Sequence, residues 1–518
     1  MSARALVFAC IAFLPATIHA SFGQAETHDE DLRVGIQAFQ QHDFAAAEQA
    51  FSRLVRLEPS ARNYEYLAMA ELGSGQLTRA IGNFQKSIQL GENSSGIYYN
   101  LGLAYIQHRQ AASAIQEFRK AASLDPGYIP AQYALGMTLL NTGRAREAVT
   151  IFATGRKRAP GDPRLWAALA EAQFQAGDSN QAVATAQDAI HAIPNNPRLA
   201  VTLATVCLHH QQVQTARDLM EDANEMMPDD PEVRILLAKA SLLAREPVEA
   251  LAVLRSMPSS GKEHAERLHL MGQAQALTGN LAAAEEDLTS ALKDAPNNPQ
   301  YLTTYAWLQQ LEGRQNQAIT TLTTARRLDP KTPVIPYRMA VSHYFLQQYE
   351  QAQRLCRDAL NLSPNYGDAY LLLGITQLQQ EHFKSAVVSL RKGASLHPRE
   401  GIFHRELAVA FFQSAQLSAA NEELDQALAL DPKDAESYFW RGKLLTSEGA
   451  EREAIFNFNI AVELKPDYAD AYGELARLYA KAGQPRQAAS MLAKQKQIKT
   501  SSKSAGAGLL RSLPNASE

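Results

Sequence analysis

The fold is decided by residues 98–126, which read YYNLGLAYIQHRQAASAIQEFRKAASLDP. Small and large apolar side chains recur there at the i, i+3, i+4 and i+7 spacing of an amphipathic helix. The first half carries Tyr98, Leu101, Gly102 and Tyr105, and the second carries Ala114, Phe118 and Ala121. Pro126 ends the second half, because proline disfavours the helical conformation in the residue before it. The segment therefore predicts two helices joined by a short turn.

The same pattern recurs along most of the chain. Thirteen alanines follow one another at a spacing of 34 residues, from Ala80 to Ala488, and Ala47 precedes them at a spacing of 33. A glycine or another alanine stands twelve residues before each of them. Such small residues allow two helix backbones to come close where they cross, while larger side chains fill the space on either side. We therefore predict about fourteen helical hairpins in one register over residues 28–498.

The order of residue types in this segment resembles the tetratricopeptide repeat. The thirteenth repeat keeps much of the same set, as Tyr438, Gly442, Ala454, Phe458, Ala461 and Pro466. The resemblance implies an all-α, tetratricopeptide-type α-solenoid, a right-handed superhelix of helix–turn–helix repeats. It also implies that the first helix of each repeat lines a concave groove in which extended or helical peptides dock. A non-catalytic scaffold or adaptor that binds other proteins is the expected function.

Two connections between repeats depart from the pattern. In the first, residues 91–96 replace the helix-ending proline. In the second, Pro258 ends a helix early, and Lys262 occupies the position where a proline is expected. Both connections keep the register of the repeats. Residues near 91–96 and 258–262 are therefore either varied surface loops or hinges between parts of the array.

The ends of the chain differ from the repeats. The first 25 residues have the pattern of a secretory signal peptide: Arg4, the apolar run 5–14, and Ala20 or Ala25 as the last residue before cleavage. The run is shorter than the ~20 residues that span a bilayer. We predict that residues 1–25 are removed and that the protein is exported, to a bacterial periplasm or cell envelope; an uncleaved anchor is the alternative. Residues 500–518, rich in Ser, Ala, Gly and Lys, predict a disordered tail.

Composition and motifs argue against several classes of function. The net charge of −4 with no basic stripe argues against a nucleic acid partner. The sequence has no HExxH, GxSxG or CxxC motif and no glycine-rich phosphate loop, so we expect no catalytic residue, metal or cofactor. His209 and His210 are adjacent and would diverge by about 100° on a helix, which predicts that they do not share an ion. Cys207 and Cys356 fall on core positions four repeats apart, which predicts buried thiols without a disulfide.

Aromatic side chains on the first helices exceed what the core requires, and aromatic residues are common anchors of interfaces. We expect the main partner site on repeats ten to thirteen, where basic residues lie close by. Its expected residues are Tyr337, Tyr344, Phe345, Arg405, Phe412, Phe439, Trp440, Lys443 and Arg477. Further groove positions are Tyr99, Ile106, Tyr133, Met137, Phe174 and Trp307.

Other interpretations of this face remain open. The rings could simply pack between neighbouring helices, and the basic residues could form the solvated face of a terminal repeat. A glycan-binding accessory protein of polysaccharide export and a regulatory subunit of an enzyme complex are the alternative functions. The pattern does not predict the oligomeric state.

Overall fold

The computed structural model describes residues 25–258 and 261–501. All regular secondary structure in these residues is helical, which confirms the all-α prediction. In these residues twenty-eight helices, α1–α28, follow one another, and thirteen successive pairs of them pack as helical hairpins. Within the same residues, no helix is long and apolar enough to cross a membrane.

The chain divides into two compact units, Met1–Ala244 and Arg245–Glu518. The first unit contains α1 (Ala25–Gln40), α2 (Phe44–Leu57), α3 (Ala61–Gly73), α4 (Leu77–Gln89), α5 (Ser95–Gln107), α6 (Ala111–Leu124), α7 (Ile129–Asn141), α8 (Ala145–Arg158), α9 (Pro163–Gln175), α10 (Ser179–Ala192), α11 (Pro197–His209), α12 (Val213–Met226) and α13 (Pro231–Leu243).

The second unit contains α14 (Pro247–Arg255), α15 (His264–Leu277), α16 (Leu281–Asp294), α17 (Pro299–Leu311), α18 (Gln315–Leu328), α19 (Val334–Phe345), α20 (Tyr349–Leu362), α21 (Gly367–Gln379), α22 (Phe383–Leu396), α23 (Gly401–Gln413), α24 (Leu417–Leu430), α25 (Ala435–Ser447), α26 (Glu451–Leu464), α27 (Ala469–Lys481) and α28 (Pro485–Ser501). The seventh predicted repeat thus contributes α13 to the first unit and α14 to the second.

The recurring small residues lie where the two helices of a hairpin meet, as predicted. The 34-residue series of alanines is fully buried from Ala80 to Ala454, and Ala47 is buried as well. A Cβ atom added to Gly102 would lie 2.5 Å from Cε1 of Phe118, and one added to Gly442 would lie 2.7 Å from Cε1 of Phe458. Because these distances are far inside van der Waals contact, a side chain at either glycine would displace the ring that fills the crossing.

The turn inside each hairpin has one residue with positive φ, always at the same position of the repeat. Glycine fills this position in seven repeats, for example Gly75 at φ 80°. The other seven use residues such as Arg109, Gln347 and Ala415, with φ of 59°, 58° and 60°. L-residues other than glycine adopt this left-handed conformation at a cost. The same backbone turn thus recurs in each of the fourteen repeats even where its residue type varies.

The two unusual connections differ in the structure. In the first, α5 begins directly after Ser94, whose side chain accepts a hydrogen bond from the backbone N–H of Ile97 at 3.4 Å. In the second, α14 has only nine residues, and residues 259–260 lie outside the described part of the chain. The proposal of a hinge at either place stays a prediction. Of the predicted signal peptide, residues 1–24 lie outside the described part of the chain, as do residues 502–518 of the predicted tail. Helix α28 continues two residues into the predicted range of the tail.

Candidate partner-binding face

The first helices of repeats nine to thirteen lie side by side in the second unit, with contacts from α17 to α19, α21, α23 and α25 in turn. We call their common surface the first-helix face. It carries most of the residues predicted to bind a partner. The structure separates these residues into rings that hold the repeats together and rings that reach the surface.

Two of the predicted anchors are packing residues. Tyr337 has no exposed surface, and its ring meets that of Tyr366 at 5.2 Å. Burial raises the pKa of the Tyr337 hydroxyl well above its ordinary value. Phe439 is 9% exposed and lies against the rings of Phe458 at 5.6 Å and Tyr468 at 4.9 Å. These two positions therefore match the competing interpretation, in which the rings pack between helices.

Four other rings are half-buried and present part of their surface. Tyr344 and Phe345 end α19 and contact each other edge to face at 5.5 Å. Phe412 and Trp440 come from adjacent first helices and meet in the same way at 5.7 Å. Burial raises the pKa of Tyr344 to about 12, so its hydroxyl stays protonated at physiological pH. We call these two pairs together, Tyr344 with Phe345 and Phe412 with Trp440, the aromatic patch; Phe345 and Phe412 lie two repeats apart.

Arg405 is buried and serves as a link between repeats. Its guanidinium lies 3.0 Å from Glu406, 3.1 Å from Asp434 and 3.4 Å from Glu436. Burial acts to lower the pKa of Arg405, but these three carboxylates raise it overall. Asp434 also caps the start of α25, where its side chain accepts from the backbone N–H of Glu436. The charge of Arg405 is therefore compensated inside the fold.

The other two predicted cations share one carboxylate. Lys443 Nζ lies 2.8 Å from Glu474, and Arg477, on the same helix as Glu474, lies 2.7 Å from it. Burial opposes ionisation of Glu474, but its hydrogen bonds from Lys443 and Arg477 lower its pKa. The sequence-based expectation of added positive charge on this face thus omitted the acids that pair with it.

The remaining groove positions show the same division. Tyr99, Phe174 and Trp307 are buried, whereas Ile106, Tyr133 and Met137 are half-buried. The guanidinium of Arg164 stands over the Tyr133 ring at 5.7 Å. Helical periodicity alone does not distinguish the two classes, because a first helix contacts its own hairpin partner and both neighbouring repeats.

The predicted divergence of His209 and His210 is wrong, because only His209 belongs to a helix and α11 ends there. His210 follows as the C-cap with φ −103° and ψ 22°, and Gln211 then turns with φ 59°. The two imidazole rings consequently lie close together, with centroids 4.9 Å apart.

The cysteine prediction is confirmed. Cys207 and Cys356 are free and fully buried. Burial raises the pKa of Cys207 to about 11 and raises that of Cys356 as well. Both side chains therefore act as small apolar residues of the core.

Sequence models of one family match this chain at several places. A model described as Tetratricopeptide repeat matches residues 105–172, 208–274 and 445–513, and a second with the same description matches residues 35–96, 67–129 and 405–469. Among solved structures, the crystal structure of the APC/C hetero-tetramer Cut9-Hcn1 is similar at 14% identity, over 87% of this chain and 96% of that one, with a TM-score of 0.48. The crystal structure of MamA protein is 23% identical over 32% of this chain and 92% of that one, with a TM-score of 0.31. No curated protein matches the chain.

Proposed function

Because the chain belongs to the tetratricopeptide repeat family, we propose that it is a non-catalytic scaffold whose first-helix face binds segments of other proteins. The observation that carries this proposal is the aromatic patch, four rings on α19, α23 and α25 that keep exposed surface. Exposed rings set among well-packed helices are the usual anchors of protein interfaces.

The chemistry of the face favours an apolar partner segment. Arg405 pairs with carboxylates inside the fold, and Lys443 and Arg477 both pair with Glu474, so an acidic partner would gain less from them than from unpaired cations. The aromatic patch instead offers ring faces and edges to aliphatic or aromatic side chains. We therefore propose that the partner presents an amphipathic helix or an extended apolar segment.

We further propose that the protein acts in a bacterial cell envelope. The support for this proposal is the pattern of residues 1–25, with Arg4, the apolar run and the small residues Ala20 and Ala25.

Variants of the aromatic patch test the binding proposal. Tyr344→Ala and Phe412→Ala each remove one half-buried ring, and Phe456→Ala removes a ring that is 65% exposed on the second helix α26. A partner is first captured by the wild-type chain, identified by mass spectrometry and purified. Thermal melting of each variant and its binding to that partner are then measured separately. We expect the first two variants to weaken binding by about 2 kcal/mol while melting stays near that of the wild type. The Phe456 variant should bind as the wild type does.

Phe439→Ala serves as the contrasting variant. Its ring lies in the interior, so we expect a loss of stability of about 3 kcal/mol or more. Unchanged binding in the Tyr344 and Phe412 variants would refute the proposed face. So would a loss of binding that simply follows a loss of folding.

A further inference from the structure

Two histidines and a glutamate meet on the first helices of repeats five and six. Glu171 belongs to α9, His209 is the last residue of α11, and His210 is its C-cap. One potential ligand atom from each residue lies within 4.8 Å of the other two. Nε2 of His210 and Oε2 of Glu171 are 3.0 Å apart.

Neighbouring side chains hold two of these groups in place. The ring of Phe174 stacks on the imidazole of His210, with centroids 4.5 Å apart and planes inclined by 11°. Gln175 donates a hydrogen bond of 2.6 Å to Oε1 of Glu171, which leaves Oε2 facing His210. Side chains that fix the orientation of a ligand in this way are a common feature of metal sites. His209 is exposed and free to adjust its rotamer.

We propose that Glu171, His209 and His210 bind a divalent transition metal ion, with Zn²⁺ as the simplest case. Two imidazole nitrogens and one carboxylate oxygen suit Zn²⁺, Cu²⁺ or Ni²⁺ better than Ca²⁺ or Mg²⁺, which prefer oxygen ligands. Ligand atoms around a tetrahedral Zn²⁺ with bonds of about 2.0–2.1 Å lie roughly 3.3 Å apart. The separation of 3.0 Å between His210 and Glu171 is already close to this value, so binding requires the ion to take the place of their hydrogen bond and His209 to turn inward.

The site would leave one coordination position open. Three protein ligands complete three corners of a tetrahedron, and water or a side chain of another protein takes the fourth. The bound ion would also join repeats five and six, since Glu171 and the histidines come from different hairpins.

The test is calorimetric titration of Zn²⁺ into the full chain, prepared without a polyhistidine tag. The variants His209→Ala and Glu171→Gln each remove one ligand, and the exposed His209 can be truncated without opening the core. His108→Ala is the matched control, because His108 is also an exposed C-cap, three repeats earlier, at the position that corresponds to His210. Thermal melting with and without Zn²⁺ provides a second measurement.

We expect the wild type and the His108 variant to bind one equivalent of Zn²⁺ more tightly than the weak sites on the surface. The His209 and Glu171 variants should bind that equivalent at least about tenfold more weakly. Zn²⁺ should raise the melting temperature of the wild type and the control more than that of the two variants. Superimposable titrations of all four proteins, or no equivalent bound by a folded wild type, would overturn the proposal.

Discussion

The hairpin crossing can be tested with two glycine-to-alanine substitutions in the first unit. Gly82 lies in α4 and Gly102 in α5, and both are helical. Alanine stabilises a helix by about 1 kcal/mol relative to glycine, so both positions share this gain. A Cβ at Gly82 has no atom within 4 Å, whereas one at Gly102 would lie 2.5 and 2.6 Å from Cε1 and Cδ1 of Phe118.

The predicted difference follows from that contact. Overpacking a core costs about 1–3 kcal/mol, so Gly102→Ala should be neutral or destabilising by up to about 2 kcal/mol. Gly82→Ala should stabilise the protein by about 1 kcal/mol. Repeat arrays open locally, so urea unfolding is best combined with hydrogen exchange of the amides in α5 and α6. Equal effects of the two substitutions, or a stabilised Gly102 variant, would refute the account of the crossing.

Three further predictions concern the turn inside a repeat, the carboxyl group of Glu65 and the predicted signal peptide. Ala415→Gly relieves a residue held at φ 60°, and denaturant unfolding should show a gain of up to about 1 kcal/mol. Burial and nearby Glu92 raise the pKa of Glu65 from 4.5 to about 7. Glu65 therefore contributes fully to the free energy of unfolding below pH 4.5, and this contribution is lost as pH rises through 7. Glu65→Gln should therefore raise the free energy of unfolding at pH 8 by about 1 kcal/mol, a value reduced because Glu65 is partly exposed. At pH 4 the substitution should have no such effect. N-terminal sequencing should find a mature chain that begins at Ser21 or Glu26; an intact Met1 in the cytosol would contradict export.

The repeat could be predicted from sequence because each hairpin obeys the same steric constraint. The positions of Gly102 and Ala114 require a small residue in each repeat, because two helix backbones cross there. The spacing of small residues therefore persists while neighbouring residues vary. The turn was harder to find, because the position of Gly75 holds Arg109 or Ala415 in other repeats. Its constant element is a backbone angle, which the sequence displays only where glycine is used.

The candidate sites were predicted less well, because they depend on side chains from different repeats. Lys443 pairs with Glu474, 31 positions further along the chain, and helical periodicity within one repeat does not reveal that pair. Whether a ring on a first helix is buried depends on the neighbouring repeats, so the pattern of one repeat does not reveal that Tyr337 is buried. The arrangement around His210 depends on α11 ending at His209. Sequence patterns place such a helix boundary only to within a few positions.

Site-specific photo-crosslinking tests the central claim most directly, the binding of a partner protein to the first-helix face. A photoreactive phenylalanine derivative replaces Phe412 or Trp440 on that face, or Phe456 on α26 as the control, and the chain is irradiated in the cells that produce it. We predict that positions 412 and 440 give covalent adducts with one and the same protein and that position 456 gives none. Adducts of that protein from position 456 alone, or equally from all three positions, would contradict the account.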